Sequence, residues 1–208
     1  MDTITDVCLT ITGKAEKVWR GNKADGSPYL MVQVSGIKFY QFDIGFIPTQ
    51  GQTVRLTCGV TPKIQALVKG IDKSKTTVTW FLIKEIIPVG SGVEDSCYAT
   101  FNAVTVAFDP EFKKGQTGDF MSLRVCDSRH NLFRVTIFAD TDVYAAVREA
   151  NVKKGDIISL ACDVDWKEVE AFPLDLFKTW CKPGAEESRK VLRFFYGPTD
   201  FRMIAERR

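Results

Sequence analysis

Apolar and polar residues alternate along most of this chain, and one alternating stretch occurs twice. Gly51 to Val60, GQTVRLTCGV, has apolar side chains at every second position, and Gly155 to Val164, GDIISLACDV, repeats the arrangement. A period of two is typical of a strand with one buried face. Two further stretches match in the same order: Asp6-Val7-Cys8 with Asp95-Ser96-Cys97, and Tyr29 to Val34 with Phe120 to Val125. The pattern therefore predicts a duplicated module.

The first module is predicted to contain five strands. They cover residues 7–19, 29–34, 37–44, 51–60 and 78–87. Gly13 predicts a bend in the first strand, and Ser35-Gly36 predicts a tight hairpin between the second and third. The turn-forming segment Pro88 to Gly92 predicts a domain boundary, with one module over residues 1–90 and the other over residues 91–208.

The second module is predicted to repeat this order with insertions. Its first strand spans Cys97 to Phe108, and its second and third flank the turn Arg129-His130-Asn131. Apolar residues at helical spacing predict a helix over residues 142–152, with Asp140, Thr141 and Asp142 as candidate caps. A long segment from Trp166 to Lys190 then leads to a last strand at residues 191–196. Its aromatic residues are compatible with a lid over the barrel or with a subunit contact: Trp166, Phe172, Phe177 and Trp180.

The predicted elements have the layout of an OB-fold. This fold has five strands, with a glycine bend in the first, a hairpin between the second and third, and a long connection before the fifth. The chain resembles two OB-folds in tandem and, more narrowly, the single-stranded DNA-binding proteins of phages and mobile elements. The resemblance extends over nearly the whole chain in element order and rests on no diagnostic motif. It implies an all-β fold with one short helix and helical loop segments, built as two five-stranded OB-fold barrels.

The same resemblance implies what the protein does and what it contacts. The expected function is largely sequence-independent binding of single-stranded DNA in replication or recombination. Single-stranded DNA is the expected partner, and replication or recombination proteins and a second copy of the chain are further candidate partners. Many replication proteins of this kind recruit partners through an acidic tail, whereas this sequence ends in Ala205-Glu206-Arg207-Arg208, so recruitment of that type is not expected.

Composition narrows the alternatives. Hydrophobic residues make up 45% of the chain and aromatic residues 12%, which is typical of a globular protein rich in strands. No apolar run of about 18 residues is present, and the first residues, MDTITD, do not resemble a signal peptide, so we expect a cytoplasmic protein of a bacterium or phage-infected cell without membrane contact. Six cysteines without a CxxC pair, and a single histidine, His130, predict reduced thiols, no bound metal and no cofactor.

Charge is unevenly distributed between the modules. Residues 1–90 carry 11 Lys and Arg against 7 Asp and Glu, a balance of +4, whereas residues 91–208 carry 17 against 19, a balance of −2. A positive field attracts a polyanion. We therefore predict that the first module makes most of the nucleic-acid contacts and that the second contributes mainly packing between modules or subunits.

Binding of single strands requires aromatic faces for stacking and cations for the phosphates. If Leu30, Val32 and Val34 face inward, alternation predicts an outward face on the second strand, and the third strand is predicted to turn Phe39 and Gln41 outward as well. The predicted contacts in the first module are Trp19, Arg20 and Lys23 in the adjoining loop, Tyr29, Phe39 and Gln41 on strands, and Lys63, Lys69, Lys73 and Lys75 around the loop after the fourth strand.

The second module presents a corresponding set of residues. Its predicted contacts are Phe120, Arg124 and Arg134 on strands and Lys113 and Lys114, beside Phe112, in a loop; Ser122 and Leu132 are predicted to face outward with them. For any single residue, barrel capping or simple solvation of a charge is an equally good interpretation, because exposed aromatic and charged residues are common.

Three other functions compete with DNA binding. Two-metal nucleases require clustered carboxylates, and four are close in this sequence: Asp163, Asp165, Glu168 and Glu170. No further acidic motif accompanies them, so we do not expect an enzyme. An OB-fold can also serve as an adaptor or structural assembly module without nucleic acid. RNA is an alternative ligand, because stacking and phosphate contacts do not by themselves exclude ribose.

Overall fold

The computed structural model describes residues 6–64, 77–90, 92–170 and 188–206, with backbone positions only at the margins of the two larger gaps. The described residues form eleven strands and one helix. In chain order these are β1 (Val7–Asn22), β2 (Pro28–Val34), β3 (Ile37–Gln41), β4 (Thr53–Ile64), β5 (Thr77–Pro88), β6 (Ser96–Val106), β7 (Glu111–Lys114), β8 (Asp119–Cys126), β9 (Leu132–Phe138), α1 (Asp142–Glu149), β10 (Ile157–Glu170) and β11 (Ser188–Ala205).

The strands close two circuits with the same connectivity. In the first, β1 pairs with β2 and β4, β2 with β3, and β5 with both β3 and β4. In the second, β6 pairs with β8 and β10, β8 with β9, and β11 with both β9 and β10. Only the β3–β5 and β9–β11 pairs among those described are parallel. This is the five-stranded Greek-key barrel of the OB-fold, formed twice. The fold class predicted from sequence is confirmed, while the boundary near residue 90 stays a prediction.

The two barrels are joined by an antiparallel pairing of their first strands, β1 and β6, in which Leu9 lies opposite Ala99. These two residues are also structural equivalents, because Leu9 pairs with Cys58 and Ala99 with Cys162, the cysteines of the repeated stretch. The sequence match that aligned Cys8 with Cys97 is therefore wrong by one residue, since Cys97 corresponds to Val7.

Alternation places one face of each strand in the core, as predicted for the second strand. Leu30, Val32 and Val34 are completely buried. Cys58 and Cys162 are buried in equivalent positions, and the five cysteines of the described part of the chain are free thiols. Cys181 lies outside the described residues. Burial raises the pKa of the Cys97 thiol to about 11, so this group is uncharged at neutral pH.

Several predicted boundaries change in the structure. β1 runs without a break at Gly13, and its register with β2 becomes irregular between Ala15 and Lys17 instead. Gly13 is required for space, because a Cβ there would lie 2.8 Å from Cγ1 of Val34. Helix α1 ends at Glu149, earlier than predicted, and its cap is Thr141, whose side chain accepts a hydrogen bond from the Tyr144 backbone.

The segment after the repeated stretch begins as a strand. β10 continues through Glu170, so Trp166 lies in β10 and not in a loop. The Trp166 ring lies 5.4 Å from that of Phe81, which joins the second barrel to the first. Residues 171–187, which include the other predicted lid aromatics, lie outside the described residues. Among the described residues, no helix has the length and apolarity needed to cross a membrane.

Candidate nucleic-acid interface

The outer face of β1, β2 and β3 carries three rows of side chains that run across the strands. Directly opposed residues in a sheet point to the same side, so the pairings define each row. The basic row is Lys17, Gln33 and Lys38; the middle row is Trp19, Met31 and Tyr40; the turn row is Gly21, Tyr29 and Phe42, with Phe42 immediately after β3. Together the rows place four aromatic rings and two lysines on one surface of the first barrel.

The four rings form one cluster centred on Tyr29. Its ring centroid lies 5.5 Å from that of Trp19, 6.3 Å from that of Tyr40 and 6.4 Å from that of Phe42. Trp19 is 53% exposed and Phe42 is 42% exposed, so ring faces are open to solvent. Aromatic pairs at these separations stabilise one another beyond their buried area. The cluster is thus a preformed surface on which planar groups can stack.

A cation lies beside this cluster, and the hydroxyl group of Tyr29 is neutral. The ammonium of Lys23, in the turn after β1, lies 4.2 Å from the centroid of the Phe42 ring, a cation–π distance. Burial beside the neighbouring rings raises the pKa of Tyr29, and Tyr40 raises it further. An uncharged Tyr29 does not repel phosphate, so the surface suits a polyanion with flat bases.

Gly21 provides the room for this arrangement. A Cβ at residue 21 would lie 2.7 Å from Cη2 of Trp19 and 2.8 Å from Cε1 of Tyr29. Both distances are well below ordinary van der Waals contact. The two rings can therefore approach each other only because residue 21 has no side chain.

Two residues that were predicted to face outward are buried. Phe39 is completely buried and Gln41 is only 7% exposed, because they pair with Val32 and Leu30 and share the inner face of the barrel with them. The Gln41 side-chain oxygen lies buried without a hydrogen-bond partner among the described residues. The outward aromatic residue on β3 is Tyr40, one position along the chain.

Trp19 and Arg20 lie in β1 and not in the predicted loop, because β1 extends to Asn22. Arg20 is exposed but pairs with Leu30, so it lies on the opposite side of the hairpin from Trp19. The predicted lysines after the fourth strand are not placed: Lys63 is described only as part of the β4 backbone, and Lys69, Lys73 and Lys75 lie outside the described residues.

Four residues of this surface were not predicted from the sequence: Tyr40, Phe42, Lys17 and Lys38. A usable signal was present in the hairpin. Ser35 and Gly36 both have positive φ, as a two-residue type I′ turn requires. Such a turn sets the register of its strands, opposing Val34 to Ile37 and therefore Met31 to Tyr40.

The second barrel presents the same three rows with different chemistry. Its basic row is Arg124 and Arg134; its middle row is Glu111, Ser122 and Thr136; its turn row is Lys113, Phe120 and Phe138. The outward placement of Phe120, Arg124, Leu132 and Arg134 is confirmed, whereas Ser122 is buried between β7 and β9. Two aromatic residues of the first barrel thus have aromatic counterparts here, and Trp19 and Tyr40 do not.

Lys113 and Lys114 lie in strand β7 and not in a loop. Lys113 is opposite Phe120 and shares the outer face, while Lys114 is opposite Asp119 on the other side. Phe112 also faces that other side and packs on helix α1, with its ring 6.1 Å from that of Tyr144. Of the lysine pair, only Lys113 therefore joins the rows of the second barrel.

An ionic cluster occupies the outer face of the second barrel. Glu111 forms salt bridges with Arg124 and, at 2.8 Å, with Lys113. Hydrogen bonding to Lys113, with the charge of Arg124, lowers the pKa of Glu111. The Arg124 guanidinium also lies 4.1 Å from the centroid of the Phe108 ring. The cations of this face are held in place by an acidic side chain.

Of the carboxylates considered for a nuclease site, Glu168 and Glu170 are described only as part of the β10 backbone. Asp163 and Asp165 lie in β10, and no group of three metal-ligating side chains occurs in the part of the chain that the structure describes. His130 lies in the exposed turn between β8 and β9, as predicted, with a positive φ.

The comparisons with known proteins establish the fold. No protein-family model and no curated protein matches the sequence. Among solved structures, the chain is similar to the wild-type single-stranded DNA-binding protein from Thermus aquaticus, with 10% identity over 97% of this chain and 94% of that one and a TM-score of 0.58. A deletion mutant of the same Thermus protein gives 9% identity, coverage of 97% and 95%, and a TM-score of 0.61. The similarity spans both barrels.

Proposed function

We propose that this protein binds single-stranded DNA with little sequence preference and acts in replication or recombination as a binding protein, not an enzyme. The observation that carries the proposal is the cluster of Trp19, Tyr29, Tyr40 and Phe42 on the outer face of the first barrel, with lysines in the neighbouring row. Bases stack on such rings whatever their identity, because every base has a π-face.

Supporting evidence comes from the fold and from the charges. The solved structures with the same fold are named as single-stranded DNA-binding proteins. Fold alone does not fix function, so the argument depends on the site. An OB-fold adaptor has no need of four clustered rings, two of them about half exposed, beside Lys17, Lys23 and Lys38.

Fluorescence polarisation with a labelled oligo-dT of about 30 nucleotides tests the proposal, a length that spans two or more OB-fold sites. We expect binding that weakens steeply between low and moderate salt, because phosphate contacts release counterions. An oligo-rU of the same length, measured in parallel, distinguishes DNA from RNA as the preferred ligand. Absence of binding to both at low salt would leave the adaptor function as the better explanation.

A matched pair of variants links the binding to the cluster. Phe42 and Phe46 are 42% and 43% exposed and both lie between β3 and β4, but Phe42 packs on the Tyr29 ring of the cluster. We expect Phe42→Ala to weaken oligo-dT binding by about 5-fold or more, on the scale of one lost stacking contact. Phe46→Ala serves as the control for removal of an exposed phenyl ring. Equal effects from the two variants would dissociate binding from the cluster.

A further inference from the structure

Glu111 occupies, in the second barrel, the position that Trp19 occupies in the first. Trp19 lies opposite Met31 on β2, and Glu111 lies opposite Ser122 on β8. Met31 and Ser122 are equivalent, since each lies two residues after the aromatic residue that its strand contributes to the turn row, Tyr29 or Phe120. An acidic side chain therefore stands where the first barrel has its most exposed stacking ring.

The surroundings of Glu111 are strongly basic. Arg124 and Arg134 are directly opposed on β8 and β9, an arrangement in which like charges repel and destabilise the pair. Glu111 forms salt bridges with Arg124 and Lys113, and Arg134 is close enough to stabilise its charge. The carboxylate thus offsets one of the three positive charges that its own barrel has brought together.

A carboxylate and a phosphate offer guanidinium groups the same kind of partner, a delocalised anion with several oxygens. We propose that Glu111 is an internal substitute for a DNA phosphate, holding Arg124, Arg134 and Lys113 in place until a phosphate displaces it. This inference rests on the proposed function. It makes the second barrel a phosphate site that an internal anion weakens, and it makes the first barrel the site that DNA occupies first.

The ion pairs are partly exposed, with side chains between about one third and two fifths accessible to solvent. Solvent screening limits what each pair contributes, so displacement by DNA is feasible and reversible. A competing carboxylate reduces affinity without blocking the site. Its removal should therefore strengthen binding and make it more dependent on salt, because one more positive charge is available to the phosphates.

The test is Glu111→Gln in the full-length chain, titrated with a 30-nucleotide oligo-dT over a series of salt concentrations. We expect about 5-fold tighter binding at low salt, the scale of one surface ion pair. The slope of log affinity against log salt should become steeper by about 0.7, the value for one further positive charge paired with the phosphates of a single strand. Glu149→Gln, on the exposed end of α1 in the same module, controls for the loss of one negative charge.

Two further variants sharpen the outcome. Adding Arg134→Gln to Glu111→Gln should reduce the gain, because one of the three cations that would hold the phosphate is gone. Glu111→Thr, which suits a strand and resembles the neighbouring Thr136, replaces Glu111→Gln if that variant melts early. A gain no larger than that of Glu149→Gln would overturn the inference. Failure of the unaltered protein to bind any single strand would instead overturn the proposed function, so the two failures are distinguishable.

Discussion

Gly21→Ala tests the stacking surface without removing any ring. The new methyl carbon would lie 2.7 Å and 2.8 Å from two atoms of the Trp19 indole and 2.8 Å from Cε1 of Tyr29. Carbon atoms pack at about 3.5–4.0 Å, so at least one ring must move by roughly 1 Å or change rotamer. The Trp19 ring is the more exposed of the two, so we expect it to be the ring that moves.

The expected magnitude follows from what that movement breaks. Separating Trp19 from Tyr29 forfeits an aromatic pair of about 0.5–1.5 kcal/mol and misplaces one ring for stacking, which contributes about 1–3 kcal/mol per base. A partial loss of about 1 kcal/mol corresponds to about 5-fold weaker binding. Stability should change little, because Ala restricts the unfolded chain by about 0.4–1 kcal/mol relative to Gly, which offsets the lost ring contact.

Polarisation with oligo-dT measures the affinity, and thermal unfolding checks that the fold is intact. Gly45→Ala is the matched control, since a Cβ at Gly45 meets no atom within 4 Å. We expect Gly45→Ala to bind as the unaltered protein does. If Gly21→Ala binds equally well while remaining folded, the close approach of Trp19 and Tyr29 is irrelevant to binding, and the reasoning from the cluster fails.

Three other outcomes are expected. Gly13→Ala places a methyl group 2.8 Å from Cγ1 of the buried Val34. This overpacking should lower the free energy of unfolding, measured in urea, by about 1–3 kcal/mol. An unchanged value would show that β1 can shift to accommodate the methyl group. Burial raises the pKa of Cys97 from 9.0 to about 11. The neutral thiol should therefore contribute its full share to the free energy of unfolding below pH 9, and this contribution should be lost as the pH rises toward 11, with a smaller loss in Cys97→Ser. Identical pH profiles of the two proteins would contradict a buried thiol. Tyr40→Ala should weaken DNA binding without altering its salt dependence, because it removes a stacking ring. Arg134→Ala should instead reduce the slope of log affinity against log salt by about 0.7. The same change in both variants would mean that the first barrel does not specialise in stacking and the second in phosphate contacts.

The barrel framework was predictable from the sequence because alternation is strong wherever one face is fully buried. In β2 every second residue is completely buried, and the glycine-led stretch recurs at the start of β4 and β10. A one-residue slip there would expose an entire apolar set, so pattern and structure agree. The same logic located α1, whose buried residues Val143 and Val147 are four apart.

The face of β3 was not predictable from alternation alone. Aromatic residues occur at both odd and even positions of this segment: Phe39 points inward, whereas Tyr40 and Phe42 point outward. Hydrophobicity does not distinguish a stacking ring from a core ring, because the same side chain suits both. The hairpin turn at Ser35-Gly36 distinguishes them, because it fixes which residues are opposed across the strands.

The ionic cluster depended on a contact that local sequence does not encode. Glu111-Phe112-Lys113-Lys114 has a polar composition typical of a loop, and it becomes β7 only by pairing with β8. Short strands of this kind are stabilised by tertiary pairing more than by intrinsic preference. The side chains of Glu111 and Arg124 were therefore brought together by topology, which the linear pattern does not show.

The junction between the barrels constrains how one strand could use both faces. Leu9 lies opposite its own equivalent, Ala99, in an antiparallel pair, so a local two-fold axis relates β1 and β6. A directional polymer that crosses such an axis meets the second face in the reverse sense from the first. Stacking geometry that favours one direction on the first barrel would then be mismatched on the second, whereas ionic contacts to phosphates are less directional. The presence of Glu111 and Thr136 at the positions of Trp19 and Tyr40 fits this constraint, since under the proposed function the second face would hold DNA mainly through its cations.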